Sequence, residues 1–324
     1  MKPNAKVLSF VTIRFLVALS GCGVILSPGL ASGQTPTIDA KSSANIQERI
    51  RKSGADVAIA FRTLDGGTAY SLHEEKSFHA ASTMKIPVMI ELFHQAGQGK
   101  LTLDDPLLIK NEFHSLADGS MYTLDPADDS EADLYRAAGQ TRTLQQLCEL
   151  MIDVSSNLAT NLLIEKLGVE NIRATVHSLH ADGMNVLRGV EDNKAFAKGL
   201  NNTTTALGLL QLLEPIARGE AVDQESSRQM IEILERQKFN EGIPAGVPPG
   251  TRVAHKTGEI TKIHHDAAIV FAPKPFVLVI LVRGMENIKD SAALMADITR
   301  QLYQATQPLD KAAQPRPQGH HPTQ

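Results

Sequence analysis

Strand-like apolar runs stand at the two ends of this 324-residue chain, and helical apolar spacing fills the middle. Asp56-Val-Ala-Ile-Ala-Phe61 is a short apolar strand, Asp65-Gly-Gly67 is a strong hairpin signal, and residues 68–72 return as a second strand. Strands come back at residues 252–256, 266–271 and 276–282. Residues 143–153, 158–167 and 204–213 carry apolar side chains at helical spacing. A first helix is expected over 38–52, with Ile46 and Ile50 on one face and Gly54 ending it, and a last one over 291–304. Two strands before a helical middle and three after it predict an α+β fold. Its core is one five-stranded antiparallel sheet built from both ends and flanked by helices, with a mostly helical lobe inserted at about residues 82–215. A chain of two lobes carries its site in the cleft between them.

Charge and composition remove several classes of function. Lys and Arg total 32 against 36 Asp and Glu, a net charge of −4, so the basic footprint of a nucleic-acid binder is absent. Trp is absent and aromatic residues are 4%, too few for stacking platforms. Residues 1–33 read as an export signal: Lys2, Lys6 and Arg14 precede a broken apolar core, and Ala31-Ser-Gly33 supplies small residues before Gln34. Leu19-Ser-Gly-Cys22 also reads as a lipobox, in which case Cys22 is lipidated and the protein is held at a membrane. Under either reading the protein is exported, to the periplasm or beyond. Cleavage leaves Cys148 as the remaining cysteine, expected to be a buried small hydrophobe, and excludes paired-cysteine zinc sites. The domain is expected over 38–305, and the Pro/Gln/His-rich residues 308–324 as a disordered tail.

Three short motifs carry chemistry. Ser82-Thr-Met-Lys85 is expected to open a helix, with both side chains on one face. A serine hydroxyl is a weak nucleophile until a base takes its proton, and the apolar surroundings of Lys85 disfavour its charged form and suit it to that role. This spacing arises by chance about once per chain of such length, so alone it says little. Ser155-Ser-Asn157 joins two helices. There Ser155 is suited to pass a proton to a leaving amine and Asn157 to hold a substrate amide, although Asn157 capping the following helix explains the same residues. Lys256-Thr-Gly258 is expected to end a strand, with Lys256 and Thr257 binding a substrate carboxylate and Gly258 admitting the substrate backbone. The N–H of Glu259 would then pair with that of Ser82 as an oxyanion hole.

These motifs, in this order, resemble the serine β-lactamase and penicillin-binding superfamily, and class A β-lactamases in particular. The resemblance spans about residues 38–304 and extends to Asn161-Leu-Leu163 and Asn202-Thr-Thr-Thr205. It implies a two-lobed α+β fold, acylation of Ser82 by a β-lactam carbonyl, proton transfer through Lys85, and capture of the carboxylate by Lys256. No cofactor and no metal are implied. The partner is a small β-lactam or peptidoglycan-like acyl substrate, and a monomer is expected.

The sequence also departs from that family. Ser156 stands where class A enzymes usually carry Asp. The Glu that activates the deacylating water is matched by Glu191, with Asp192 as the competing candidate. Position 195, where the family's water-holding Asn belongs, is Ala, and Asn193 is the nearest substitute. Glu259 replaces a small residue and would repel an anionic substrate by several tenths of a kcal/mol if it pointed inward. An insert at about 111–140 carries Asp125, Asp128, Asp129, Glu131 and Asp133, and is expected to be a solvated acidic loop, with a substrate wall or a calcium loop as alternatives. His255, His264 and His265 flank the third motif, and neighbouring strand histidines point to opposite faces, against a shared metal. The alternatives to β-lactam hydrolysis are a D-Ala-D-Ala peptidase, esterase or amidase, and a sensor that acylates and stays acylated.

Overall fold

The computed structural model describes residues 37–307, so the expected leader with Cys22 and the tail from 308 lie outside the described residues. The main sheet is made of β1 (Asp56–Thr63), β2 (Ala69–Leu72), β9 (Arg252–Ile260), β10 (Ile263–Phe271) and β11 (Phe276–Arg283), in the order β2-β1-β11-β10-β9. All neighbours are antiparallel, with Ile59 opposite Ile280 and Ala267 opposite Val279. The first and last strands of the chain's two halves therefore meet at its centre, as the split pattern predicts. Small ribbons decorate the insertion: β3 (Phe78–His79) pairs with β8 (Thr203–Thr204), β4 (Pro106–Leu108) with β7 (Thr141–Thr143), and β5 (Phe113–His114) with β6 (Met121–Tyr122).

Both faces of the sheet are covered, which explains why its strands read as continuous apolar runs. On one face Val57, Ile59, Phe61, Leu278, Ile280 and Val282 pack against α1 (Ala40–Ser53) and α10 (Ile288–Thr306) through Ile46, Met295, Ile298 and Leu302. On the other, Ala58, Ala60, Ala267, Val277, Val279 and Leu281 meet the helical lobe. The lobe consists of α2 (Lys85–Gly97), α3 (Ala132–Arg136), α4 (Leu144–Asp153), α5 (Asn157–Leu167), α6 (Val169–Ser178), α7 (Asn193–Ala197), α8 (Ala206–Arg218) and α9 (Gln224–Glu235). Helix α2 is buried all round from Lys85 to Phe93, the pattern of a helix at the centre of a domain. Cys148 is fully buried on α4, and burial pushes its thiol well above the ordinary range, which makes it unreactive packing.

Element ends differ from the sequence reading where tertiary pairing outweighs local signals. Strand β9 does not end at Lys256-Thr-Gly258 but continues to Ile260, because β10 pairs with it through Gly258–His265 and Glu259–His264. Helix α8 runs through Pro215 to Arg218, where Gly219 in the left-handed conformation stops it. The acidic insert is not a uniformly solvated loop. Asp125 caps its own short turn and Asp133 pairs with Arg136, but Asp129 turns inward and is buried. Among the described residues no three His, Cys, Asp or Glu side chains gather as a metal site, and no helix is long and apolar enough to cross a membrane.

Candidate active site

Ser82 sits in a one-turn 3-10 helix, Ala81–Met84, that leads into α2 at Lys85, rather than within α2 itself. Side chains three apart eclipse one another in such a turn, so Ser82 and Lys85 face the same way. Ala81, just before the serine, holds a left-handed φ of 45°, a strained conformation for alanine. The strand leading to this turn is anchored by His265, which donates from Nε2 to the His79 carbonyl at 3.0 Å and accepts the Val282 N–H at Nδ1. Burial lowers the pKa of His265 to about 4, so it stays neutral and keeps both bonds. His79 in turn accepts the Ala81 N–H at 3.0 Å.

Lys85 is wholly buried and is the hinge of the site. Its Nζ donates to the Ser155 carbonyl at 2.7 Å, to Ser155 Oγ at 3.1 Å and to Asn157 Oδ1 at 2.9 Å. These acceptors use all three ammonium donors, and none is aimed at Ser82. Burial lowers the pKa of Lys85 to about 7, opposed by the carboxylates of Asp129 and Glu191. Ser155, itself at a left-handed φ of 64°, leaves α4 and presents its hydroxyl to a second buried lysine: Lys256 Nζ reaches Ser155 Oγ at 3.1 Å and the Thr257 carbonyl at 2.9 Å. Burial, and then the charge of Lys85, push Lys256 well below its ordinary range. One hydroxyl thus links two lysines, neither of which is comfortably charged without an anion.

Asn157 does not cap the helix it opens. Ser156 is the cap, accepting the Ala159 N–H at 3.3 Å, which leaves the Asn157 side chain free to bridge. Its oxygen takes Lys85 and its nitrogen donates to Glu191 Oε1. Glu191 is half-buried at a left-handed φ of 59°, and desolvation raises its pKa against the pull of that hydrogen bond. The flanking backbone is pinned by Asn161, which accepts the Val190 N–H at 2.7 Å and donates to the Val190 carbonyl at 3.1 Å. A Cβ on Gly189 would lie 2.5 Å from Asn161 Oδ1, so glycine is required there. Asn202 accepts the N–H groups of Leu187 and Arg188 and closes the loop.

Asp192 faces away from this cluster. It caps α7 through the Ala195 N–H at 3.0 Å and accepts Ser115 Oγ at 2.7 Å and the Leu116 N–H at 2.8 Å, so both its oxygens are occupied. Ala195 is buried, and the neighbouring Asn193 is exposed on the first turn of α7.

Gly258 closes the other wall. β9 is the edge strand of the sheet and packs on the Ser82 turn; a Cβ on Gly258 would lie 3.0 Å from the Thr83 nitrogen and 3.1 Å from that of Ser82. Backbone atoms cannot yield as a flexible side chain would. Gly258→Ala is therefore expected to destabilise by about 1–3 kcal/mol and to slow acylation by pushing β9 from the turn. Melting and acylation rates measured together check this, and an unchanged variant would show that the close approach has no role.

Thr257 is buried, and the side chain of Glu259 is exposed. The three histidines diverge. His255 is buried against Asp266 at 2.9 Å, His264 meets Ser291 at 2.8 Å on the α10 side, and His265 points to the site.

Fold and site together define a serine hydrolase of the β-lactamase and penicillin-binding type. Residues 41–306 match the β-lactamase enzyme family, and the chain belongs to it as a divergent, class A-like member. It is 27% identical over 234 residues to a β-lactamase of Rhodobacter capsulatus, covering 72% of this chain and 73% of that one. The crystal structure of a β-lactamase from Sphaerobacter thermophilus superposes with a TM-score of 0.72 at 26% identity, over 83% of this chain and 98% of the other. PBP-A in its L158E form, an acyl-enzyme complex with penicillin G, superposes with a TM-score of 0.70 at 26% identity, over 84% and 97% of the two chains.

Proposed function

We propose that this protein is exported and opens β-lactam rings through an acyl-Ser82 intermediate, then releases the product by hydrolysis. The observation that carries the reading is the continuous chain Lys256–Ser155–Lys85–Asn157–Glu191, which joins all three motifs to the loop carboxylate. Ser82 Oγ attacks the lactam carbonyl while neutral Lys85 takes its proton. The N–H groups of Ser82 and Glu259 stabilise the oxyanion. The C–N bond breaks as the ring nitrogen receives a proton through Ser155, and Lys256 and Thr257 hold the substrate carboxylate. Glu191 then takes a proton from the water that attacks the ester, regenerating Ser82.

Glu191→Gln separates the two half-reactions. Acylation is expected to persist within a few-fold while deacylation slows by about 10²–10⁴-fold, so that intact mass shows an accumulating adduct. Unchanged turnover would remove Glu191 from the mechanism.

Ala195 favours a second reading. With alanine at that position and Asn193 facing solvent, the deacylating water lacks a carboxamide to hold it. Slow hydrolysis of the penicilloyl ester would suit an enzyme whose own acyl substrate is a D-Ala-D-Ala peptide and for which a penicillin is an inhibitor. Competition between such a peptide and a penicillin for Ser82 distinguishes the two: protection by the peptide at lower concentration supports the peptidase.

A further inference from the structure

The second motif lacks a carboxylate at Ser156, yet a carboxylate is present at the same helix end. Asp129 arrives from the acidic insert and is 8% exposed. Its Oδ2 accepts the backbone N–H groups of Asn157 at 2.9 Å and Leu158 at 2.8 Å, the Tyr135 hydroxyl at 2.9 Å, and the Ser156 hydroxyl at 3.3 Å. Its Oδ1 accepts the Glu131 N–H at 3.0 Å. Asp129 and Ser156 thus share the unpaired N–H groups that open α5, the carboxylate taking the first two and the hydroxyl the third.

We propose that Asp129 is the positioning carboxylate of this site, supplied by the insert in place of one in the motif, and that it holds the start of α5 so that Ser155 and Asn157 grip Lys85. The residues next to those it holds are themselves closely constrained. Ser155 is in a left-handed conformation and Asn157 bridges Lys85 to Glu191, so a small shift of the helix end breaks both contacts. Asp129 also acts by charge. The charged groups facing Lys85 are Asp129 from the insert and Glu191 from the loop, which favour its ammonium, and Lys256 from β9, which opposes it. Neutralising Asp129 therefore moves the Lys85 titration to lower pH.

The inference rests on the reading that Ser82 is acylated, and one of its tests is independent of that reading. In the full chain, Asp129→Asn is expected to slow acylation by a fluorescent penicillin by on the order of 10²-fold. The acid limb of its pH profile should lie below that of the unmodified protein. NMR titration of labelled Lys85, which needs no substrate, should show the same downward displacement. The double variant Asp129→Ala, Ser156→Asp returns a carboxylate to the helix end and should recover most of the rate that Asp129→Ala loses. Loss of melting temperature with the Lys85 titration and acylation unmoved would reduce Asp129 to a structural role and overturn the proposal. If the unmodified protein takes no penicillin, the functional reading fails, while the Lys85 titration still decides the case of Asp129.

Discussion

Ser82→Ala is expected to abolish covalent labelling by any substrate of this site, with a fall in turnover of about 10⁴–10⁶-fold. The change removes one oxygen atom and no packing carbon, and the buried neighbours Ala81, Thr83 and Met84 are untouched. The variant should therefore fold, bind and fail only in chemistry. A penicillin adduct on the Ser82→Ala protein, seen by intact mass, would mean that another nucleophile does the work.

Lys85→Met is the second large effect. Methionine fills most of the buried volume but neither takes a proton nor donates to Ser155 and Asn157. General-base catalysis contributes about 10²–10⁴-fold, and the lost positioning adds to that, so acylation should fall toward the upper end of the range. The sign of the pH dependence follows from the same group. Desolvation disfavours the ammonium, and the base is the neutral form, so kcat/KM for acylation should rise with pH through about 7 and level off above it. In Lys85→Met that limb should vanish. A limb that survives the substitution would assign the titration, and the base, to another residue.

Much of the fold was legible because it depends on short-range pattern. Apolar runs bounded by turn signals located every strand of the sheet, and their division between the chain's ends implied how they pair. The three motifs were legible because each is a local spacing of reactive side chains, and the structure brings Lys85, Ser155, Asn157 and Lys256 into one hydrogen-bonded group. What stayed hidden depends on contacts between distant segments. Glu191 and Asp192 are indistinguishable as neighbouring loop carboxylates until α7 and Ser115 occupy both oxygens of Asp192. Asp129 is one of several acidic residues in the insert, and only its position against the start of α5 sets it apart from the exposed Asp128. The full length of β9 likewise came from its register with β10, which no signal within residues 256–260 specifies.

Formation of a Ser82 acyl-enzyme from a β-lactam and its hydrolysis through Glu191 can be followed in one experiment. The protein is mixed with a chromogenic cephalosporin, and colour and intact mass are recorded in one time course. Colour should continue over many turnovers, with the adduct confined to Ser82 and scarce at steady state. A single burst of colour ending in one stable adduct would contradict the hydrolytic half. Absence of both colour and adduct would show that Ser82 is not acylated by β-lactams at all.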